Sequence, residues 1–279
     1  MTQTNGISRR GFLAGTSLAA AAVTFGSAFG ITSASAHAGG DDVQTIINIA
    51  ATAEAFAVTH YWRALQKTTK AQFTANEIAY LKAGLESEQA HFDFLVSAGA
   101  KPLYTQFYFP KATFDTKVQF GTVTGIAETV FVAAYVAAAY QFAVLGHPDL
   151  SAIAAQVAVV EGQHLALVNE MANIFPNNVA LAAPVFGQVS QAVPVVMPLL
   201  DGKVGALGDM ETTTVPMPSA ADVKTAVGTS KLLAVLPAPF KTVIAPFKAQ
   251  PDMSATMAPT MSGTMAPAMS ATMAATKSS

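Results

Sequence analysis

Apolar residues recur at helical spacing in four stretches between residues 41 and 173. In the first, Ile46, Ile49, Ala50, Ala53, Ala57 and Ala64 share a face, and Asp41 and Asp42 precede it. Acids favour a helix N-terminus, so this pattern predicts a helix from there to about Lys67. A second helix is predicted from Thr74 to about Ala98. Thr74 and Glu77 have the spacing of a capping box, and Gly99 is placed to end the helix. A third runs from roughly Thr116 to Leu145 and stops before Gly146-His147-Pro148. The fourth starts at Asp149 or Ser151 and reaches about Asn173. Short connections between helices one and two, and between three and four, imply antiparallel neighbours. The link over residues 100–112 holds Pro102, Pro110, Tyr104, Phe107, Tyr108 and Phe109. It cannot continue a helix and is long enough to cross a bundle.

Past residue 173 the helical period fades. Ile174 to Leu200 is uncharged but holds Pro176, Pro184, Pro194 and Pro198. That is an apolar segment laid over a bundle, with a short fifth helix expected near residues 186–193, rather than a membrane span. Residues 201–220 read as a linker. Ala221 to Val235 is a helix candidate interrupted at Gly228, and short Ala-Pro-Phe turns follow it. From Met253 the chain is low complexity, with Met253, Met257, Met261, Met265, Met269 and Met273 spaced every four residues. Soft thioethers suit Cu(I) or Ag(I), and methionine also scavenges oxidants. The composition equally describes a disordered tail or a mucin-like stalk.

The N-terminus has its own signature. Ser8-Arg9-Arg10-Gly11-Phe12-Leu13 resembles a twin-arginine export signal, and an uncharged run follows to Gly40. Cleavage is expected after Ala36 or Ala38. The domains are therefore a signal at 1–38, a four-helix bundle at 41–173, a Pro-rich apolar extension at 174–250 and a Met/Ala/Thr/Ser tail at 251–279. The mature protein is expected in the periplasm or outside the cell, with no integral membrane segment after signal removal. Thr129 to Pro148 is uncharged and long enough to span a bilayer. Its many alanines, with Tyr135, Tyr140 and Gln141, favour a buried bundle helix instead.

The polar residues within these apolar helices carry the chemistry. Glu88-x-x-His91 and Glu161-x-x-His164 each place a carboxylate and an imidazole on one helix face. Glu54 precedes Glu88 by 34 residues, and Glu128 precedes Glu161 by 33. One half-site thus occurs twice. Tyr61 and Tyr135 extend the repeat, each seven residues after its lone glutamate. They are candidate hydrogen-bond partners around a centre, or plain core aromatics. Glu86 is expected to be solvated, His147 exposed, and His60 an ordinary bundle or surface histidine without a twin. His37 either leaves with the signal or starts the mature chain.

Composition narrows the reading. Only 11% of the chain is charged, net charge is −2 and there is no basic patch. Nucleic-acid binding, which needs clustered Lys and Arg, is not expected. Without cysteine, a metal within these helices must be held by oxygen and nitrogen, which suits iron, manganese or zinc. Four glutamates on apolar faces need partners, and cations are scarce: Lys117 is the only one in helix three, and helix four has none. Two glutamates plus two Glu-x-x-His pairs is the ligand set of di-iron and di-manganese carboxylate bundles. On that analogy Glu54 and Glu128 are terminal ligands, Glu88 and Glu161 bridge, and His91 and His164 each bind one metal. The alternative is a bundle in which these residues survive as a structural polar network.

These residues also carry a family resemblance. Ala53-Glu54-Ala55-Phe56, the stretch from Leu85 to Leu95 around Glu88 and His91, Glu128 to Tyr135, and Glu161-Gly162-Gln163-His164 resemble the four helices of exported ferritin-like proteins related to the plant desiccation-related proteins. The resemblance covers residues 43–173. It implies an all-α, ferritin-like antiparallel four-helix bundle, here with a long, largely irregular C-terminal extension. Together with the ligand set it leads to the expectation of two iron ions (or manganese) reacting with O2 or peroxide, in iron handling or oxidative-stress defence. Oxidase, peroxidase-like and storage roles stay open, as does a non-catalytic, stress-linked structural role for a metal-free bundle. The long extension argues against a closed cage and leaves a homodimer open.

Overall fold

A computed structural model describes residues 40–174, 186–202 and 212–229. All of these lie in one compact unit, Met1–Leu236. The expected export signal, the Ala-Pro-Phe turns and the methionine repeat fall outside the described residues.

Helix α1 spans Val43–Leu65, and the Asp42 side chain caps it by accepting from the Thr45 amide at 2.7 Å. A single turn, α2 (Thr68–Ala71), is an addition to the expected elements; it ends at Gln72 in the left-handed region. Helix α3 covers Ala75–Ser97. Its capping box is present: Thr74 N–H donates to Glu77 Oε2 at 2.6 Å, and Glu77 N–H donates to Thr74 Oγ1 at 3.3 Å. Such a cap contributes about 1 kcal/mol. Helix α4 is Lys117–Val144 and α5 is Pro148–Met171, with proline in its first turn where no amide hydrogen is missed.

Two apolar clusters fix the directions of the helices. One joins the start of α1 to the end of α3, the end of α4 and the start of α5, through Ile46, Leu95, Phe142 and Ala154. The other joins the opposite ends, through Tyr61, Leu81, Phe120 and Val168. Neighbouring helices are therefore antiparallel, and the layer between the clusters holds the buried acids. By length and composition both α4 and α5 could cross a membrane. In the structure α4 buries most of its apolar residues in the bundle.

The connections depart from the sequence reading. The aromatic link contains a strand, β1 (Gln106–Pro110), and the expected linker contains β2 (Thr212–Pro216). They form an antiparallel ribbon with Phe107 opposite Val215. Phe107, Phe109 and Val215 are buried, so the ribbon closes one side of the core. The alternation of Phe107, Tyr108 and Phe109 carries the period of a strand, but its partner lies about a hundred residues away. The fifth helix is shifted. A 3-10 turn occupies Val189–Ala192, and α6 runs Val193–Asp201. The turn is pinned by Val189 N–H to Gln141 Oε1 and Ser190 N–H to Asp41 Oδ2, each at 2.8 Å. Helix α7 is Ala220–Val227, capped by Ser219 and stopped at Gly228.

Candidate metal centre

The helices bring all six repeat residues to one level of the bundle. Glu54 lies in mid-α1, Glu88 and His91 in α3, Glu128 in α4, and Glu161 and His164 in α5. Each carboxylate is at most 1% exposed. His164 is buried and His91 nearly so.

Glu88 and Glu161 are each shared between the two imidazoles. Glu88 places Oε2 at 3.6 Å from His91 Nδ1 and Oε1 at 2.6 Å from His164 Nδ1. Glu161 places Oε1 at 3.4 Å from His91 Nδ1 and Oε2 at 3.1 Å from His164 Nδ1. The lone glutamates serve one side each. Glu54 Oε2 is 3.5 Å from His91, and Glu128 Oε1 is 3.9 Å from His164. Two overlapping ligand sets result: Glu54, Glu88, His91 and Glu161, and then Glu88, Glu128, Glu161 and His164. Within each set the candidate ligand atoms lie within 4.8 Å of one another.

Much of this contact is not hydrogen bonding. Both Glu88 oxygens, Glu128 Oε2, Glu161 Oε1 and His91 Nδ1 are buried without a hydrogen-bond partner among the described residues. His164 Nδ1 and Glu88 Oε1 approach closely yet are not aligned as donor and acceptor. Ligand atoms that face a common point rather than one another have this geometry. Leaving several buried charged groups unpaired is strongly destabilising. Divalent ions bound by oxygen and imidazole nitrogen would satisfy all of them at once, so the residues present fit a metal pair.

Burial and mutual charge shape the protonation. Burial pushes the Glu54 carboxyl well above the usual range; Glu161 adds to this and His91 opposes it. Burial does the same at Glu128, again with Glu161 adding and His164 opposing. At Glu88 burial is outweighed by His164 and then His91, which hold the carboxyl well below its ordinary value. Burial disfavours charge on both histidines, but Glu54 and Glu161 at His91, and Glu88 and Glu161 at His164, raise them well above theirs. Protons thus take up part of the excess negative charge in the absence of metal.

The two tyrosines bond across the repeat. Tyr61 on α1 donates to Glu128 Oε1 on α4 at 3.1 Å, and Tyr135 on α4 donates to Glu54 Oε1 on α1. Both are buried, and burial, then the glutamate each one faces, raises their phenols well above the ordinary value. Gly84, one turn before Glu88, makes room for Tyr61. A Cβ there would lie 3.1 Å from Tyr61 Cε1.

Sequence symmetry missed Tyr80. Its hydroxyl donates to the His164 carbonyl at 3.5 Å, and its ring lies edge-on to the imidazole. It has no counterpart, because the equivalent position before Glu161 is Ile153. His60 differs from a surface histidine. It is 1% exposed, stacked on Phe120 at 4.8 Å and surrounded by Phe56, Phe109 and Phe114. Thr124 Oγ1 donates to the Phe120 carbonyl, so His60 Nε2 donates to Thr124 Oγ1 at 2.7 Å. Nδ1 is left bare, and burial lowers the imidazole pKa to about 3. Glu86 is half-buried rather than solvated and joins neither ligand set, whereas His147 is exposed as expected.

Residues 41–173 match the family model of the ferritin-like domain. No curated protein and no solved structure matches the chain.

Proposed function

From a ferritin-like domain, which residues 41–173 of this chain form, we propose an exported metal-binding protein with a dinuclear iron or manganese centre that reacts with O2 or peroxide. Glu54 and His91 hold one ion, Glu128 and His164 the other, and Glu88 and Glu161 hold both. Such a centre supplies one-electron and two-electron chemistry when bound. The chain's own part is to exclude water from the acid layer, to orient Glu128 and Glu54 through Tyr61 and Tyr135, and to hold a phenolic proton on each of those carboxylates. Iron handling or oxidative-stress defence is the role this serves. The export signal and the likeness to the desiccation-related branch belong to the same proposal.

The observation that carries it is the division of Glu88 and Glu161 between His91 and His164. Neither carboxylate needs that geometry in order to pair with one histidine. The test is metal analysis of the purified protein, with anomalous scattering at the iron and manganese edges. About two ions per chain are expected, as in carboxylate bundles of this ligand set. Equal and negligible metal in the wild type and in Glu88→Ala combined with His91→Ala would sink the proposal.

A second reading, a metal-free stress-linked interaction protein, draws on the outer face of α4 and α5. Val136, Tyr140, Val144 and Val159 are all more than half exposed there. That surface also suits a homodimer. In this reading chelation leaves thermal stability unchanged, whereas a loaded site loses stability when stripped.

A further inference from the structure

The C-terminal extension does more than cover the bundle. Val189, Ala192, Val196 and Leu199 roof a groove between α1 and α4 and leave a partly enclosed cavity of about 50 Å3. Ala53 and Phe56 on α1 and Ala134 on α4 are part of its wall, and Tyr135 lines it as well. Tyr135 also lines a second cavity of about 40 Å3, inside the bundle, which reaches His91. Ala50, Tyr135 and Ala138 line both cavities.

We propose that the cavity between α1, α4 and α6 is a binding chamber for an apolar molecule of diatomic size, dioxygen, delivered against Tyr135 beside Glu54. This rests on the metal-binding reading above and selects O2 over peroxide as the reactant. Size sets the first limit. Engineered cavities that admit benzene measure about 150 Å3, and this one is about a third of that, too small for a ring or an alkyl chain. Chemistry sets the second. The two side-chain hydroxyls on the wall are already committed. Thr52 Oγ1 donates to the Asn48 carbonyl and accepts from Leu103 N–H, both at 2.8 Å, and the Tyr135 hydroxyl donates to Glu54. Peroxide carries two O–H donors that lose water on entry, and the nearly all-apolar wall is a poor replacement for it. Dioxygen has no such donors. Small alanines at 50, 53, 134 and 138 keep the space open, and the roof gives the uncharged Pro-rich segment a purpose that a bundle alone does not require.

The test uses crystals of the purified full chain pressurised with xenon, an apolar probe of similar bulk. Xenon is expected between Ala53, Ala134 and Val196. Ala134→Leu fills the space from the bundle side and Val196→Phe from the roof, and each should lower xenon occupancy roughly fivefold or more. Two variants guard against one failing to fold. Crystals soaked in hydrogen peroxide should show no peroxide there. A wild-type chamber without xenon, xenon unchanged in the folded variants, or a chamber filled by ordered water or peroxide would each overturn the proposal. Anomalous scattering from the same crystals reads the metal separately. Xenon without metal keeps the chamber and removes the metal centre, and metal without xenon does the reverse.

Discussion

Tyr61 on α1 donates its hydroxyl to Glu128 on α4, 3.1 Å away. Each tyrosine of the repeat therefore serves the glutamate of the other half, since Tyr135 donates to Glu54. The Tyr61 bond is to Glu128 Oε1, and Glu128 Oε2 has no hydrogen-bond partner among the described residues. Removing the phenol in Tyr61→Phe should weaken metal binding on the Glu128 side about 10- to 100-fold, the usual scale for a partner that orients a ligand. Tyr135→Phe should do the same on the Glu54 side. Calorimetric titration with Mn(II) reads both, and unchanged affinity in both variants would show that the tyrosines are only core aromatics.

Gly84 controls the same contact from α3. Alanine is the better helix former by about 1 kcal/mol. Its Cβ, however, would stand 3.1 Å from the Tyr61 ring, which is fully buried and has little room to withdraw. Gly84→Ala should therefore gain less than propensity promises, or lose about 1–3 kcal/mol by overpacking, and should lower metal affinity as Tyr61→Phe does. Denaturant unfolding together with the Mn(II) titration checks this. A variant stabilised by the full propensity gain with normal affinity would refute it.

The sharing of Glu88 predicts unequal losses. Glu54→Gln touches one ligand set and should leave about one ion per chain, whereas Glu88→Gln touches both and should leave none. Metal analysis of the two variants, prepared alongside the wild type, decides. Equal losses would mean that the two sets are not separate sites. In metal-free protein Glu54→Gln should preserve or raise stability, because burial already favours the neutral form of that carboxyl, whereas Glu88→Gln should lower it, because His164 and His91 lose the carboxylate that favours their charged forms.

His60 makes stability depend on pH. Its imidazole titrates near 3 in the folded chain, against an ordinary 6.5, because burial disfavours the cation. The unfolded chain takes up this proton first. Stability from His60 is thus fully present above pH 6.5 and is lost as pH falls toward 3. Between pH 7.5 and 5 the loss should be about 2 kcal/mol. His60→Phe fits the aromatic surround and removes the bare Nδ1. It should be neutral or stabilising at pH 7.5 and should lack that fraction of the acid loss. Denaturant unfolding of both proteins at the two pH values isolates it, and parallel losses would refute the assignment.

The four bundle helices, the caps at Asp42 and Thr74 and all six ligand-type residues could be read from the chain itself, whereas the last bundle helix starts at Pro148, before the expected Asp149 or Ser151. The signals were local: apolar spacing, Asp42, Thr74 with Glu77, and a carboxylate-imidazole pair repeated at matched distance. Helical periodicity places residues such as Glu88 and His91 on a common face whatever surrounds them. Other features depended on which elements meet. The β1–β2 ribbon joins residues about a hundred positions apart, so Phe107 and Val215 show no pairing until the chain has folded. His60 reads as an ordinary histidine until β1 and α4 close Phe109 and Phe120 around it. Tyr61 and Tyr135 mark a repeat in sequence, but only helix packing decides that they cross between halves. The chamber beside Tyr135 belongs wholly to tertiary structure. No single segment encloses it, and it exists because α6 spans a groove that the small residues of α1 and α4 leave open.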